Sequence, residues 1–576
     1  MSNNQKRNNL SVSFDGFRGI DCRRNHTGET VASDVVNFRI RSDGSLEKRN
    51  GYRLLTDMGG VIRAFHSEAA NGSHRAYLLV GSTVFLLDLS TGEKNAVGTV
   101  GTESGGACFF SYDGELYLSD SQTLYHCQES ALLPVIGYVP LIGKDWRNDV
   151  VGETYEPRNL LNRHARISYV IGSPASIFLC TGYPVESVQA VYVNGISISA
   201  ERYSIDTNFN TVNVTELATG DRVELHFTYA EHLDAERLSE FLSCQNAVLF
   251  GTAANNRLFF WGGNQPCSIF CSSHVTHAAT AESQKHFPDS NGLYIPAGYE
   301  FRVGDGRYPI RGAVRHHDRL LLFTENDAWA ASADTSGLED FPTVNINSEV
   351  GCASDKGVAL AESTPVTLGY HAVRQWESEG ASADKYQAIS LSLPIDERLS
   401  KESLRRSGLF FHRARRELWL HDPLTGIVWI CNVGSGFWYR FTGIYADRLF
   451  EVGGEVGFLR GQRVYRFDPS ATRDYDTGAD GTDICAEYES GLLDFGTERL
   501  KNLSHFVLWE DRSGGTLTLT VSGNGIAPRS CTVSGGSSHA VLKKRLPTGR
   551  FRYASVRLSA TGESGRVIHR LTLYTR

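Results

Sequence analysis

Between positions 409 and 441 apolar residues fall into four short runs: Leu409-Phe410-Phe411, then 417–420, 427–431 and 437–441. Polar turns separate the runs, and Asp422-Pro423-Leu424-Thr425-Gly426 is the plainest of them. Aromatic and β-branched residues suit a pleated, half-buried surface, and the Pro and Gly of the turn supply the backbone angles of a reversal. The pattern predicts a four-stranded antiparallel meander. A sheet of this size cannot cover its own apolar face, so others like it are expected alongside.

The same grammar of strand, polar Gly-containing turn and aromatic strand recurs at 61–95, 105–136, 246–275, 309–335 and 350–392. A half-set follows at 447–468. A hairpin at 35–56, reversing at Ser42-Asp43-Gly44, is expected to supply its missing strands, placing Val36, Phe38 and Ile40 in one sheet with Phe458, Val464 and Tyr465. Pairing the two ends closes a ring and removes the exposed edges an open sheet must protect. The prediction is all-β: a β-propeller of about seven blades closed by the N-terminal hairpin, with six or eight also compatible with the irregular spacing.

Two interruptions divide the propeller from other modules. Residues 1–33 are polar and read as an N-terminal arm contacting neighbouring molecules; 34–145 form the first part of the propeller. Residues 146–232 read as an inserted β-sandwich, its alternating strands over 165–229 punctuated at Asn194-Gly195, 207–210 and Thr219-Gly220-Asp221. A short helix over 233–242 opens the second propeller part, 233–468. A polar, acidic linker at 469–483 leads to a C-terminal β-sandwich at 484–576, with the Gly/Ser-rich stretch 512–540 in exposed loops.

Composition narrows the class. At 576 residues the chain exceeds what one core usually serves. Fifty-seven Gly, 24 Tyr and 29 Phe against two Met favour strands joined by tight turns. Lys and Arg total 57 against 65 Asp and Glu, a net charge of −8, which by itself promises no tight nucleic-acid binding. The 11 cysteines lie mostly in apolar runs and are expected to be reduced and buried. No stretch has the apolar length of a signal peptide or a membrane span.

Candidate chemistry is sparse. Cys267, Cys271, His274 and His277 are the residue types of a tetrahedral zinc site, but along a strand 267 and 271 stand about 13 Å apart, so structural cysteines are the expectation. In His316-His317-Asp318 consecutive strand residues face opposite ways. Ser111-Tyr112-Asp113-Gly114 lacks the spacing of a repeated sugar-hydrolase turn, and no nucleophile elbow, phosphate-binding Gly loop or His-Glu-x-x-His motif occurs. Two basic clusters, Arg405, Arg406, Arg413, Arg415 and Arg416, and Lys543, Lys544, Arg545, Arg550 and Arg552, read as solvated faces, with phosphates or acidic partners as the alternative. No catalytic, metal-ligating or cofactor-binding residue is assigned.

Four motifs carry a resemblance. They are F-x-G-F-R-G-I-D at 14–21 with V-N-F-R-I-R-S-D-G-S-L-E-K-R-N-G at 36–51; Y-E-P-R-N-L-L at 155–161; N-N-R-L-F-F-W-G-G-N at 255–264; and G-L-L-D-F-G at 491–496 with Lys501. Together they resemble the β-propeller tail proteins of short-tailed bacteriophages and prophages, the tail nozzle or packaged-DNA stabilisation proteins. The stretch within 191–223 also resembles a β-module of phage tail and fibre proteins. Where the family has Pro between Arg and Gly, this chain has Asn50. The resemblance implies a structural virion protein: one subunit of a homo-oligomeric ring, typically a hexamer, below a portal or adaptor and beside tail fibre or needle proteins. Such a ring holds double-stranded DNA in the filled head and passes it during ejection. It implies assembly in the bacterial host cytoplasm and no cofactor. The alternative is a soluble propeller that binds glycans or acts on glycosides.

Overall fold

The computed structural model describes residues 10–23, 31–68, 73–173, 178–206, 208–251, 256–332, 342–378, 386–477, 480–511, 514–534, 539–562 and 565–576. Thr207 of the expected turn at 207–210 and Asn255 of the third motif lie outside them.

Seven four-stranded antiparallel units form the propeller. Blade 1 runs from Ile62–Ser67 to Lys94–Thr99, blade 2 from Cys108–Tyr112 to Leu132–Pro134, and blade 3 from Asn246–Phe250 to Glu300–Arg302. Blade 4 runs from Ile310–His316 to Thr343–Asn347, and blade 5 from Val358–Ala361 to Tyr386–Ser390. Blade 6 is the meander that opened the sequence: Gly408–His412, Glu417–His421, Val428–Asn432 and Phe437–Phe441. Its turn closes through Gly426, which takes the positive φ of 67° and donates its N–H to Asp422 O. The first strands of successive blades neighbour one another around the axis.

Blade 7 closes the ring. It holds Arg448–Val452, Glu455–Arg460 and Arg463–Phe467, and its fourth strand is Tyr52–Asp57, paired antiparallel to Arg463–Phe467. The half-set is therefore three strands, and the N-terminal region contributes one. Tyr52 sits edge-on to Phe458, Tyr465 and Phe467, with ring centroids 5.0, 5.5 and 6.2 Å away. Between blades 7 and 1, Phe450 meets Phe65 at 4.9 Å over a core of Leu78, Leu87, Leu459 and Val464.

The expectation for Val36, Phe38 and Ile40 is corrected. Ala32–Val36 pairs antiparallel with Ala486–Ser490, and Phe38–Ile40 pairs with Leu46–Lys48, which continues onto Val567–Thr575. Both lie in the C-terminal sandwich, because two alternating runs separated by a positive-φ residue, Asn37 at 53°, can feed different sheets. The sandwich is thus assembled from both ends of the chain. One sheet holds Ser11–Phe14, Phe38–Ile40, Leu46–Lys48, Val567–Thr575, Leu503–Asp511 and Ala540–Arg545. The other holds Ala32–Val36, Ala486–Ser490, Ala554–Thr561, Thr516–Gly523 and Arg529–Ser534, so 529–534 is a strand where a loop was expected. Val36 also meets Arg440 in parallel, so this second sheet runs on into blade 6 as nine strands.

The described part of the arm, 10–23, binds this same chain. Ser11–Phe14 pairs with Val567–Thr575, and Phe14, Phe17 and Ile20 are buried in the sandwich core. That apolar trio outweighs the polar composition from which an arm free for neighbours was expected. The stretch 469–483 is likewise held, as Arg473–Asp474 pairs with Thr482–Asp483.

The insertion is a second, separate core. Leu141–Arg147, His164–Val170, Arg222–Tyr229, Val185–Val193 and Ile196–Ser197 make a five-stranded sheet, and Phe178–Cys180, Thr211–Val214 and Tyr203–Asp206 a three-stranded one. Ile167, Leu179, Val191, Val212, Leu225 and Phe227 fill the space between them. Asn194-Gly195 makes the tight turn with φ of 49° and 80°. Helix Ala235–Leu242 leads back to blade 3. Among the described residues no helix is long and apolar enough to cross a membrane.

Candidate functional site

Residues of the first two motifs occupy the joints between modules. Gly19 lies so close to blade 6 that a Cβ there would stand 2.6 Å from Trp438 N, and Ile20 N–H donates to Trp438 O at 2.8 Å. Phe17 packs edge-on to Tyr488 at 5.0 Å. Arg49 is fully buried: Nη1 and Nη2 grip Asp474 at 2.8 and 2.6 Å, Nε donates to Asn37 Oδ1, and Nη2 also to Thr442 O. At Gly51 any Cβ would fall 1.8 Å from Arg473 O. Arg39 reaches from the sandwich hairpin into blade 6, where Nε donates to Glu417 Oε1 at 2.8 Å; Tyr439 and Trp419 donate to the same carboxylate. Desolvation alone would raise the Glu417 pKa, but Arg39, His412 and Tyr439 pull it down to about 2.

The second motif clamps the insertion to its base. Asn159 uses its whole amide: Nδ2 donates to Tyr138 O and Leu293 O, and Oδ1 accepts from the Leu161 and Ile295 N–H groups. Arg158 holds Asp234 bidentately at 2.7 and 3.0 Å. In the last motif Leu493 exchanges backbone hydrogen bonds with Ala554, and buried Phe495 takes a positive φ of 56°. Lys501 does the same with Phe551.

Propeller blades surround a central channel; here, where the first strands of the blades begin, a cavity of about 510 Å³ is lined by Arg63, His66, Phe109, Asn246, Phe410 and Arg448, among others. A second cavity of about 440 Å³ shares Phe65, His66, Phe410 and Arg448 and extends past Phe411, Arg413 and Glu451. Burial, with Arg448 adding to it, lowers the His66 pKa; burial also pushes the Cys108 thiol up to about 12 against Arg448. His421 donates from Nδ1 to Ala446 O, and burial brings its pKa down to about 4, so it is neutral; Gly408 leaves room for its ring, since a Cβ there would meet Nε2 at 2.4 Å. The insertion has a cleft of about 610 Å³ as well, in which Lys285 pairs with Glu282 and the His226 ring hydrogen-bonds Glu224.

The residues weighed from sequence are dispersed. Cys267 Sγ contacts Tyr308 O, Cys271 is buried within blade 3, and His274 and His277 are exposed; among the described residues no group of three His, Cys, Asp or Glu is placed to hold a metal. His317 does not face away from His316. Its φ of 53° folds it back, ring centroids 4.1 Å apart, while His316 Nδ1 bonds Tyr386 OH. Asp113-Gly114 is a hairpin turn. In the first basic cluster Arg405 pairs with Glu325, Arg415 with Glu455 and Arg416 with Glu362, while Arg413 lines the second cavity. Lys543, Lys544 and Arg545 lie on the exposed edge strand Ala540–Arg545, where charge discourages edge-to-edge pairing. All 11 cysteines are free; Cys485 is exposed, against the expected burial. Sequence reading missed Arg448 and Lys356. A cation at the start of a blade's inner strand was the available signal, masked by the adjacent Asp447 and Asp355 that suggest solvated pairs.

No protein-family model and no curated protein matches the chain. Solved structures similar to it include the AfRom2 CNH domain (TM-score 0.35, 7% identity, 73% of this chain and 99% of that one). BamB from Moraxella catarrhalis is similar at TM-score 0.31 and 12% identity over 75% of this chain and 96% of its own. The WD40 domain of SCAP from fission yeast gives TM-score 0.28 and 7% identity over 70% and 84%. The chain is a β-propeller with two β-sandwich modules.

Proposed function

We propose that the chain is a structural virion protein of a bacteriophage tail, a nozzle-like subunit of a homo-oligomeric ring that retains the packaged genome and passes it during ejection. The observation that carries this reading is the placement of the resemblance motifs. Gly19, Arg49, Gly51 and Asn159 lock modules to one another, which is what a scaffold needs and what a substrate pocket does not. The net charge of −8 suits a wall that meets double-stranded DNA without gripping it. In this reading the ring stacks against portal or adaptor proteins and tail fibre or needle proteins, is a hexamer, and performs no catalysis.

Negative-stain images and mass photometry of the full chain at micromolar concentration test it. Closed rings of one symmetry are expected; monomers alone overturn it. The aromatic lining of the axial cavity, Phe109, Phe410 and Trp261, favours the glycan-binding alternative as second reading, and a reproducible glycan-array hit lost on Phe410→Ala would establish it.

A further inference from the structure

Arg63, Lys356 and Arg448 gather at the axial cavity, and among the described residues none of them forms an ion pair. Arg63 spends its guanidinium on carbonyls, bonding Gly81 O, Thr102 O, Ser104 O and Gly105 O, with Thr102 Oγ1 as a further acceptor. Asp120 offsets part of its charge, but no carboxylate forms an ion pair with it among the described residues. Arg448, the first residue of the inner strand of blade 7, is exposed to the cavity while protein surrounds it. Its Nη1 donates to Phe65 O at 3.0 Å, and its guanidinium lies 5.6 Å from the Phe65 ring centre. Its remaining N–H donors have no partner among the described residues, and no carboxylate pairs with it there. Lys356 enters the same cavity from the blade 4–5 connection, and its Nζ donates to Asp447 O at 3.0 Å. That carbonyl belongs to the residue before Arg448, so the two cations are neighbours.

Asp447 and Asp355 offset part of the Lys356 charge, but neither pairs with Arg448. Asp355 lines the cavity and accepts from Arg311 at 2.9 Å, while Asp447 Oδ2 accepts from Gly461 N–H. Burial disfavours the charged form of both His66 and His421. Arg448 therefore faces the cavity with guanidinium N–H groups that no carboxylate takes up among the described residues, and Lys356 stands beside it, open to the same space.

We propose that this mouth of the propeller channel binds a small phosphate-type oxyanion, free or as the phosphate of a small metabolite, held by Arg448 and Lys356. Arg448 presents a planar fork to two oxygens, and Lys356 adds a point charge. Phe109 and Phe410 wall the cavity, whose volume of about 510 Å³ admits a ligand of nucleotide size and excludes a duplex. This site is independent of the virion reading, since it needs one chain only.

Isothermal titration calorimetry of the full chain with pyrophosphate, inorganic phosphate and adenosine monophosphate, at fixed ionic strength, tests the site. Saturable one-to-one binding of pyrophosphate is expected, weakened about tenfold or more by Arg448→Gln and by Lys356→Gln, and unchanged by Lys94→Gln on the outer face of blade 1. Tighter binding of adenosine monophosphate than of phosphate would identify a metabolite as the source; the reverse would identify the free anion. Absence of saturable binding, equal affinity in the three variants, or binding of an oligonucleotide alone would overturn the proposal. Should both cavity variants misfold, a density map of the wild-type chain with pyrophosphate decides: the anion lies between Arg448 and Lys356 or the proposal falls.

Discussion

Replacing Tyr52 with alanine removes the aromatic plug by which the N-terminal strand closes the propeller. Tyr52 is 5% exposed, stands edge-on to three rings of blade 7, and donates its hydroxyl to Gly443 O at 3.2 Å. Truncating a buried aromatic to alanine costs about 3–5 kcal/mol, and losing the hydroxyl alone costs about 1 kcal/mol. Tyr52→Ala should therefore loosen blade 7 by about 4 kcal/mol and Tyr52→Phe by about 1 kcal/mol. Hydrogen–deuterium exchange of the amides in Arg463–Phe467 reads this locally, where 4 kcal/mol is nearly a thousandfold rise in exchange if opening of the blade controls it. A double-mutant cycle with Phe458→Ala should return a coupling of about 1 kcal/mol. If Tyr52→Ala left exchange in blade 7 unchanged while that in blades 3 and 4 was equally unaffected, the strand 52–57 would not be what closes the ring.

Glu417→Gln leaves Arg39 buried against a neutral amide and should cost about 3–5 kcal/mol in denaturant unfolding. Because the folded Glu417 pKa is lowered from 4.5 to about 2, its contribution is full above pH 4.5 and is lost as pH falls through 2, a loss the Gln variant should lack. Deleting 1–33 should lower the melting temperature and not merely impair assembly, since Phe14, Phe17 and Ile20 leave the sandwich core; an unchanged melting curve would contradict the pairing of Ser11–Phe14. Alkylation of the native chain followed by mass spectrometry should label Cys485 before any other cysteine, with all 11 labelled after denaturation without reductant; a disulfide-linked peptide would refute the free-thiol assignment.

What was legible in the sequence was the local period. Blade 6 appears strand for strand where the alternation and the Asp422 to Gly426 turn placed it, and the insertion follows its Asn194-Gly195 and Gly220 punctuation. Partnership was not legible. Val36, Phe38 and Ile40 alternate as well as Tyr52 and Leu54 do, and nothing in a period of two says which sheet a strand joins when a propeller and a sandwich both lack one. The joints needed contact over distance: Arg49 and Asp474 each read as a surface charge until the fold brings them to 2.6 Å. The axial cations were hidden for the opposite reason. Arg448 follows Asp447 and reads as half of a pair, yet the strand turns that aspartate toward Gly461 and the arginine into the channel.

The pairing of Ser11–Phe14 with Val567–Thr575 also sets a timetable. Ser13 and Thr572 touch across 559 positions, and Tyr52 waits some four hundred residues for Phe467. On a ribosome adding about 5–20 residues per second, the opening strands stay unpaired for on the order of half a minute to two minutes. During that interval blades 1 to 6 can each collapse as they emerge, whereas Ser11–Phe14 and Tyr52–Asp57 must remain available beside them. Premature capture of those strands by an open blade edge would trap the chain.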